Sequence, residues 1–102
     1  MGIDLKWETE NGRLIDEIPD PQMCISHLVL KTDVTGTTCL RFIDPYGDTT
    51  FNQLQIPILI DELQSILRTV QDNQIRDHLR RVIELAEKSR GEIHTYLKFY
   101  GD

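Results

Sequence analysis

His27, His78 and His94 are the residues of this chain best suited to acid, base or metal chemistry, with Cys24 and Cys39 as the thiols able to join them. Imidazole and thiolate both bind zinc, which takes at least three protein donors. No histidine sits in a close His/Cys/Asp/Glu spacing, and Asp77 beside His78 points elsewhere on a helix. The metal geometry left is a composite of His27 and His94 on adjacent strands, completed by Cys24 or Cys39. Two partly exposed sheet histidines are the simpler account, so neither a metal nor another cofactor is expected.

Asp44 and Asp48 belong to RFIDPYGDTTFN, residues 41–52, whose ending is echoed by the C-terminal LKFYGD, residues 97–102. If the two Tyr-Gly-Asp ends lie side by side, Asp44, Asp48 and Asp102 form a carboxylate cluster able to hold a divalent cation or perturb one another's protonation. Tyr46 would border such a site. Turn chemistry explains the same residues more cheaply, because Gly turns the backbone at positive φ and Asp bonds nearby amides. Thr49 and Thr50 lack a partnering base, Ser26, Ser65 and Ser89 lack a nucleophile elbow, and no glycine-rich phosphate loop is present. A binding role is expected ahead of an enzymatic one. Arg76, Arg80 and Arg81 make a small basic patch, but Asp77, Glu84 and Glu87 interleave with it, as on a solvated, salt-bridged helix face.

The elements that position these residues must come from one small unit. With 102 residues, of which 39% are hydrophobic and 27% charged, the chain suits a single domain, residues 1–102. The net charge is −6, concentrated in the first half, where Asp4, Glu8, Glu10, Asp16, Glu17 and Asp20 face only Lys6 and Arg13. That end repels phosphate backbones and attracts a basic partner, although solubility alone would account for it. Nucleic acid is not an expected partner. No apolar run approaches the roughly 20 residues of a membrane span, and the opening MGIDLKWETE has no secretory pattern. Gly2 lacks the Ser or Thr four positions on that myristoylation wants. A cytoplasmic protein without membrane attachment is expected.

Residues 3–10 alternate Ile3, Leu5 and Trp7 with polar neighbours, the period of a half-buried strand. NGRLIDEIPDPQ, residues 11–22, reads as a loop because Pro19 and Pro21 break ladder pairing. MCISHLVLK (23–31) and TCLRFID (38–44) are rich in β-formers around a turn at Asp33–Thr37 and read as a hairpin. In that register Leu28 and Leu30 face Phe42 and Leu40, and Cys24 lies about 20 Å from Cys39, so both thiols are expected to be reduced. From Gln55 or Ile56 to Val70 the apolar residues fall three and four apart, with Pro57 in the first turn. A second helix starts at Asp72 or Asn73 and stops at Gly91. EIHTYLKFY then returns to alternation, with Ile93, Thr95, Leu97 and Phe99 on one side.

The expected fold is α+β, a single antiparallel sheet with element order β-β-β-α-α-β and two helices packed on one face. The opposite face would gather Val29, Arg41, Ile43, Tyr96, Lys98, Tyr100 and Trp7, with His27 nearby. Such a face is often simply wetted, yet tyrosine, tryptophan and arginine among aliphatic neighbours is the composition of an interface. The residues expected to bind are Arg41, Tyr96, Lys98 and Tyr100 on that face, and Asp44 and Asp48 at the turn.

RFIDPYGDTTFNQLQ, followed by two helices and the terminal YLKFYGD, resembles a set of small uncharacterised bacterial proteins that share a strand, a DPxGD-type turn and a closing strand ending in Gly-Asp. The resemblance covers residues 38–102. It implies a common α+β fold, a bacterial source and carriage on a mobile gene cassette; it implies no known activity, and its motif residues look structural. The favoured function is a small acidic protein-binding module, for example an immunity-type inhibitor. The alternatives are a ligand-binding or enzymatic protein using the turn carboxylates, and a self-associating protein acting as a homo-oligomer.

Overall fold

The structure is a computed structural model describing residues 2–31 and 33–101. Its strands are β1 (Asp4–Thr9), β2 (Leu14–Ile18), β3 (Asp48–Phe51) and β4 (Thr95–Tyr100); its helices are α1 (Cys24–Lys31), α2 (Ile56–Leu67) and α3 (Asn73–Ser89), and Leu40–Phe42 form a single 3₁₀ turn. The strands make one antiparallel sheet in the order β2-β1-β4-β3, so the C-terminal strand returns to the middle and β2 and β3 form the edges. The fold is α+β.

Alternation sets the faces. Leu5, Phe51, Leu97 and Phe99 point to the helices and are almost fully buried, with Phe51 and Phe99 in edge-to-face contact at 5.9 Å between ring centroids. Helix α2 supplies Ile56, Leu59, Ile60 and Leu63 to this core, and α3 supplies Leu79, Val82, Leu85 and Ala86, each set at helical spacing. Asp72 caps α3 by accepting the Ile75 N–H at 3.0 Å. Arg76 closes the other side of that junction: its Nη1 donates to the carbonyls of Leu67 and Val70 at 2.6 and 2.8 Å. It therefore serves the end of α2 and not a basic patch, while Arg80 pairs with Asp77 on its own helix.

The order of elements is β-β-α-β-α-α-β, which corrects the sequence reading in its first half. Residues 14–18, read as loop, form edge strand β2 after a turn in which Gly12 takes φ +83°, and Pro19 lies just beyond it. MCISHLVLK is not a strand but helix α1, burying Cys24, Ile25 and Leu28 at helical spacing. TCLRFID is not a strand either. Its backbone N–H groups at Thr38, Cys39 and Leu40 all donate to the carboxylate of Glu62 on α2, which holds the segment in a 3₁₀ turn. The expected hairpin is thus absent, and Leu30 and Phe42, placed in its core, are exposed. The third strand comes from the DPYGDTTFN segment instead. Cys24 and Cys39 are free thiols, although the hairpin used to argue for that does not exist. Among the described residues no helix is long and apolar enough to cross a membrane.

Candidate functional site

The uncovered face of the sheet holds three of the expected binding residues and one of the turn carboxylates. Across the strands, Leu14, Glu8 and Tyr96 make one row, Glu17, Lys6, Lys98 and Thr50 the next, and Asp4, Tyr100 and Asp48 the third. Lys6 and Lys98 are directly opposed, a like-charge pair that would normally destabilise a ladder. The ring of Tyr100 relieves it: both ammonium groups lie 4.9 Å from its centroid, and its hydroxyl donates to Glu8 Oε2. Partial burial, reinforced by the Glu8 carboxylate, raises the Tyr100 phenol above its ordinary pKa, with Lys98 acting in the opposite sense.

The other expected members of this face lie elsewhere. Arg41 sits on the 3₁₀ turn with its guanidinium over the Phe42 ring at 4.8 Å. Val29 belongs to α1, Ile43 is buried, and Trp7 shares the Leu5 side of β1 and packs on the core. Asp44 is spent within its own loop, accepting the Tyr46 N–H at 2.8 Å, whereas Asp48 stands on the sheet opposite Tyr100. Asp102, the third carboxylate of the expected cluster, lies outside the described residues. The His27 and His94 composite does not form either. His27 is exposed on α1, and His94 precedes β4 at φ +64° with Nδ1 3.0 Å from Glu10.

A different constellation is buried at the N-terminus of α1. Asp20, only 1% exposed, follows β2, and its carboxylate gathers three backbone N–H groups: Cys24 at 2.7 Å on Oδ1, and Ile3 and Ile25 at 3.0 Å on Oδ2. These bonds cap the helix and tie it to the entry of β1, which is the physical reason an apolar segment that could extend becomes helical. Facing the same carboxylate are Cys24 and, from α3, His78, 7% exposed on the apolar stripe it shares with Val82 and Leu85. One donor atom from each of Asp20, Cys24 and His78 lies within 4.8 Å of the other two, the one such trio among the described residues. His78 Nε2 lies 3.7 Å from Asp20 Oδ1, beyond hydrogen-bond reach, and has no hydrogen-bond partner although it is shielded from solvent.

Burial raises the Cys24 thiol above its ordinary pKa, with Asp20 and Asp72 adding to the effect. Burial likewise lowers the His78 imidazole, aided by Arg81 and opposed by Asp20 and Asp4. A neutral thiol beside a neutral imidazole is the reverse of the thiolate–imidazolium pair of a cysteine nucleophile. A pocket of ≈ 240 Å³ bordered by Pro19, Gln74 and Arg81 opens onto Cys24 and His78, and a neighbouring one of ≈ 430 Å³ reaches Cys24 between Met23 and Ile75. The sequence reading scattered this trio among an acidic loop, an inert thiol and a lone helix histidine. The usable signal was a histidine on the buried stripe of α3 and an aspartate at capping distance from a cysteine. Compared with known proteins, the chain matches no family model, no curated protein and no solved structure.

Proposed function

We propose that the protein is a protein-binding module and that its docking surface is the uncovered face of the sheet. The observation that carries this reading is Tyr100, held between Lys6 and Lys98 and hydrogen-bonded to Glu8 in the middle of that face. An aromatic ring immobilised before contact loses little entropy on binding, and tyrosine at the centre of a patch is a frequent source of binding energy. Leu14 and Tyr96 extend the patch with apolar area, and the acidic residues Glu8, Glu10 and Glu17 of the β1–β2 hairpin favour a basic partner. A small acidic inhibitor of immunity type, in a reducing cytoplasm of a bacterial cell and carried on a mobile cassette, fits this surface and the two unpaired thiols. A ligand-binding or enzymatic role at the turn carboxylates draws less support, because Asp44 is committed to Tyr46 within its own loop while Asp48 stands on the sheet opposite Tyr100.

The test is affinity capture from a lysate of the source organism with wild type and a Tyr96→Glu, Tyr100→Glu variant shown by circular dichroism to be folded. A stoichiometric, salt-sensitive partner held by wild type and lost by the variant supports the reading. No partner at any ionic strength overturns it. Recovery of the protein alone, with a dimer by sedimentation that the variant breaks, would replace it with self-association.

A further inference from the structure

We propose that Asp20, Cys24 and His78 form a binding site for a divalent transition ion of the zinc class. Sulfur, imidazole nitrogen and carboxylate oxygen together suit zinc and its cobalt surrogate, and are poorly matched to magnesium or calcium, which take oxygen alone. The three donor atoms lie within 4.8 Å of one another, and the edge between nitrogen and oxygen is close to that of a bound ion. Two ligands about 2.0–2.1 Å from a tetrahedral ion stand roughly 3.3 Å apart, and the observed 3.7 Å between His78 Nε2 and Asp20 Oδ1 needs a shift of only a few tenths of an ångström.

The unpartnered Nε2 points to the occupant independently of the clustering. A buried imidazole nitrogen with no hydrogen bond is costly, and its lone pair is what a metal accepts. Asp20 already has the outer support that metal ligands need: Oδ2 is fixed by the Ile3 and Ile25 amides and Oδ1 by the Cys24 amide alone, which leaves Oδ1 a second lone pair. The ≈ 240 Å³ pocket beside Cys24 and His78 supplies an entry path and a fourth position for water or an external ligand. On binding, the Cys24 S–H bond breaks, its proton leaves to solvent and the sulfur electron pair bonds the ion; no electrons are transferred. Thiolate and carboxylate then balance the ion's two charges. The ion would join α1 to α3 and, through Ile3, to the start of β1. None of this depends on the docking face.

Purified full-length protein, stripped with a chelator, is titrated with Co²⁺ and then Zn²⁺. The expected result is one Co²⁺ per chain, a near-ultraviolet thiolate-to-cobalt band, release of about one proton per ion, bleaching by Zn²⁺ and a higher melting temperature. Cys24→Ser should remove the sulfur band, and His78→Gln should weaken binding at least tenfold, while His27→Ala and His94→Ala leave both unchanged. If the first two variants misfold, the wild-type stoichiometry and sulfur band still decide. A silent titration, a bound ion without the sulfur band, or a band that survives in folded Cys24→Ser overturns the site and leaves His78 Nε2 to a bound water.

Discussion

The backbone N–H of Gly101 donates to the carbonyl of Gly47 at 2.8 Å, so the two Tyr-Gly pairs of the chain, one in a turn before β3 and one at the end of β4, lie side by side. A Cβ on Gly101 would stand 2.5 Å from the carbonyl oxygens of both Asp44 and Pro45, whereas one on Gly47 would meet the Asp44 carboxylate at 2.7 Å. Backbone cannot yield as a side chain can. Gly101→Ala is expected to cost about 1–3 kcal/mol, the range for overpacking, and Gly47→Ala less. Urea midpoints of the two variants check this, and equal losses would refute the distinction.

Asp20→Ala, studied in chelator-treated protein so that no ion contributes, removes the acceptor of the Ile3, Cys24 and Ile25 amides. Each buried unpaired amide costs about 1–3 kcal/mol, so the total should reach roughly 3 kcal/mol or more, a large share of the stability of a small domain. Thermal melts give the total, and faster hydrogen exchange at those three amides gives its origin. A loss below about 1 kcal/mol would show that water replaces the carboxylate.

Glu62 performs the matching task on α2, where its carboxylate receives the N–H groups of Thr38, Cys39 and Leu40. Glu62→Ala should loosen residues 37–43 and cost about 1–3 kcal/mol, since these amides are only partly sheltered from water. Limited proteolysis should then cut near Arg41. Unchanged cleavage would mean that packing of Leu40 and Ile43 alone holds the segment.

Tyr100 should titrate above the ordinary tyrosine value, because burial and the Glu8 carboxylate both disfavour the phenolate. A group with a raised native pKa contributes stability that is complete below its unfolded value and is lost as the pH rises through the folded one. Alkaline unfolding should therefore include this group, and Glu8→Gln should move its titration downward. Phenolate absorbance, assigned with Tyr100→Phe, follows the shift; a titration unmoved by Glu8→Gln would leave burial as the sole cause.

Local pattern determined the parts of this protein long enough to repeat it. The apolar spacing of residues 56–67 and 73–89, the Asp72 cap, Gly91 at φ +85° and the alternation of β1 and β4 each reflect interactions within one segment. The α+β class, the single antiparallel sheet and the shared face of Tyr96, Lys98 and Tyr100 followed from them. Tertiary structure decided the segments whose partners lie far along the chain. Residues 24–31 are apolar enough for either strand or helix, and the Asp20 carboxylate, buried between Ile3 and Ile25, selects the helix. Residues 38–44 are rich in β-formers, but Glu62 takes the amides a ladder would have used. The Asp20, Cys24 and His78 trio depends on the same long-range contacts, because Cys24 comes from α1 and His78 from α3, and only the packing of the two helices brings them together. A single sequence carries the periodicity that buries a stripe; which distant carboxylate satisfies a given amide is settled when the chain closes on itself.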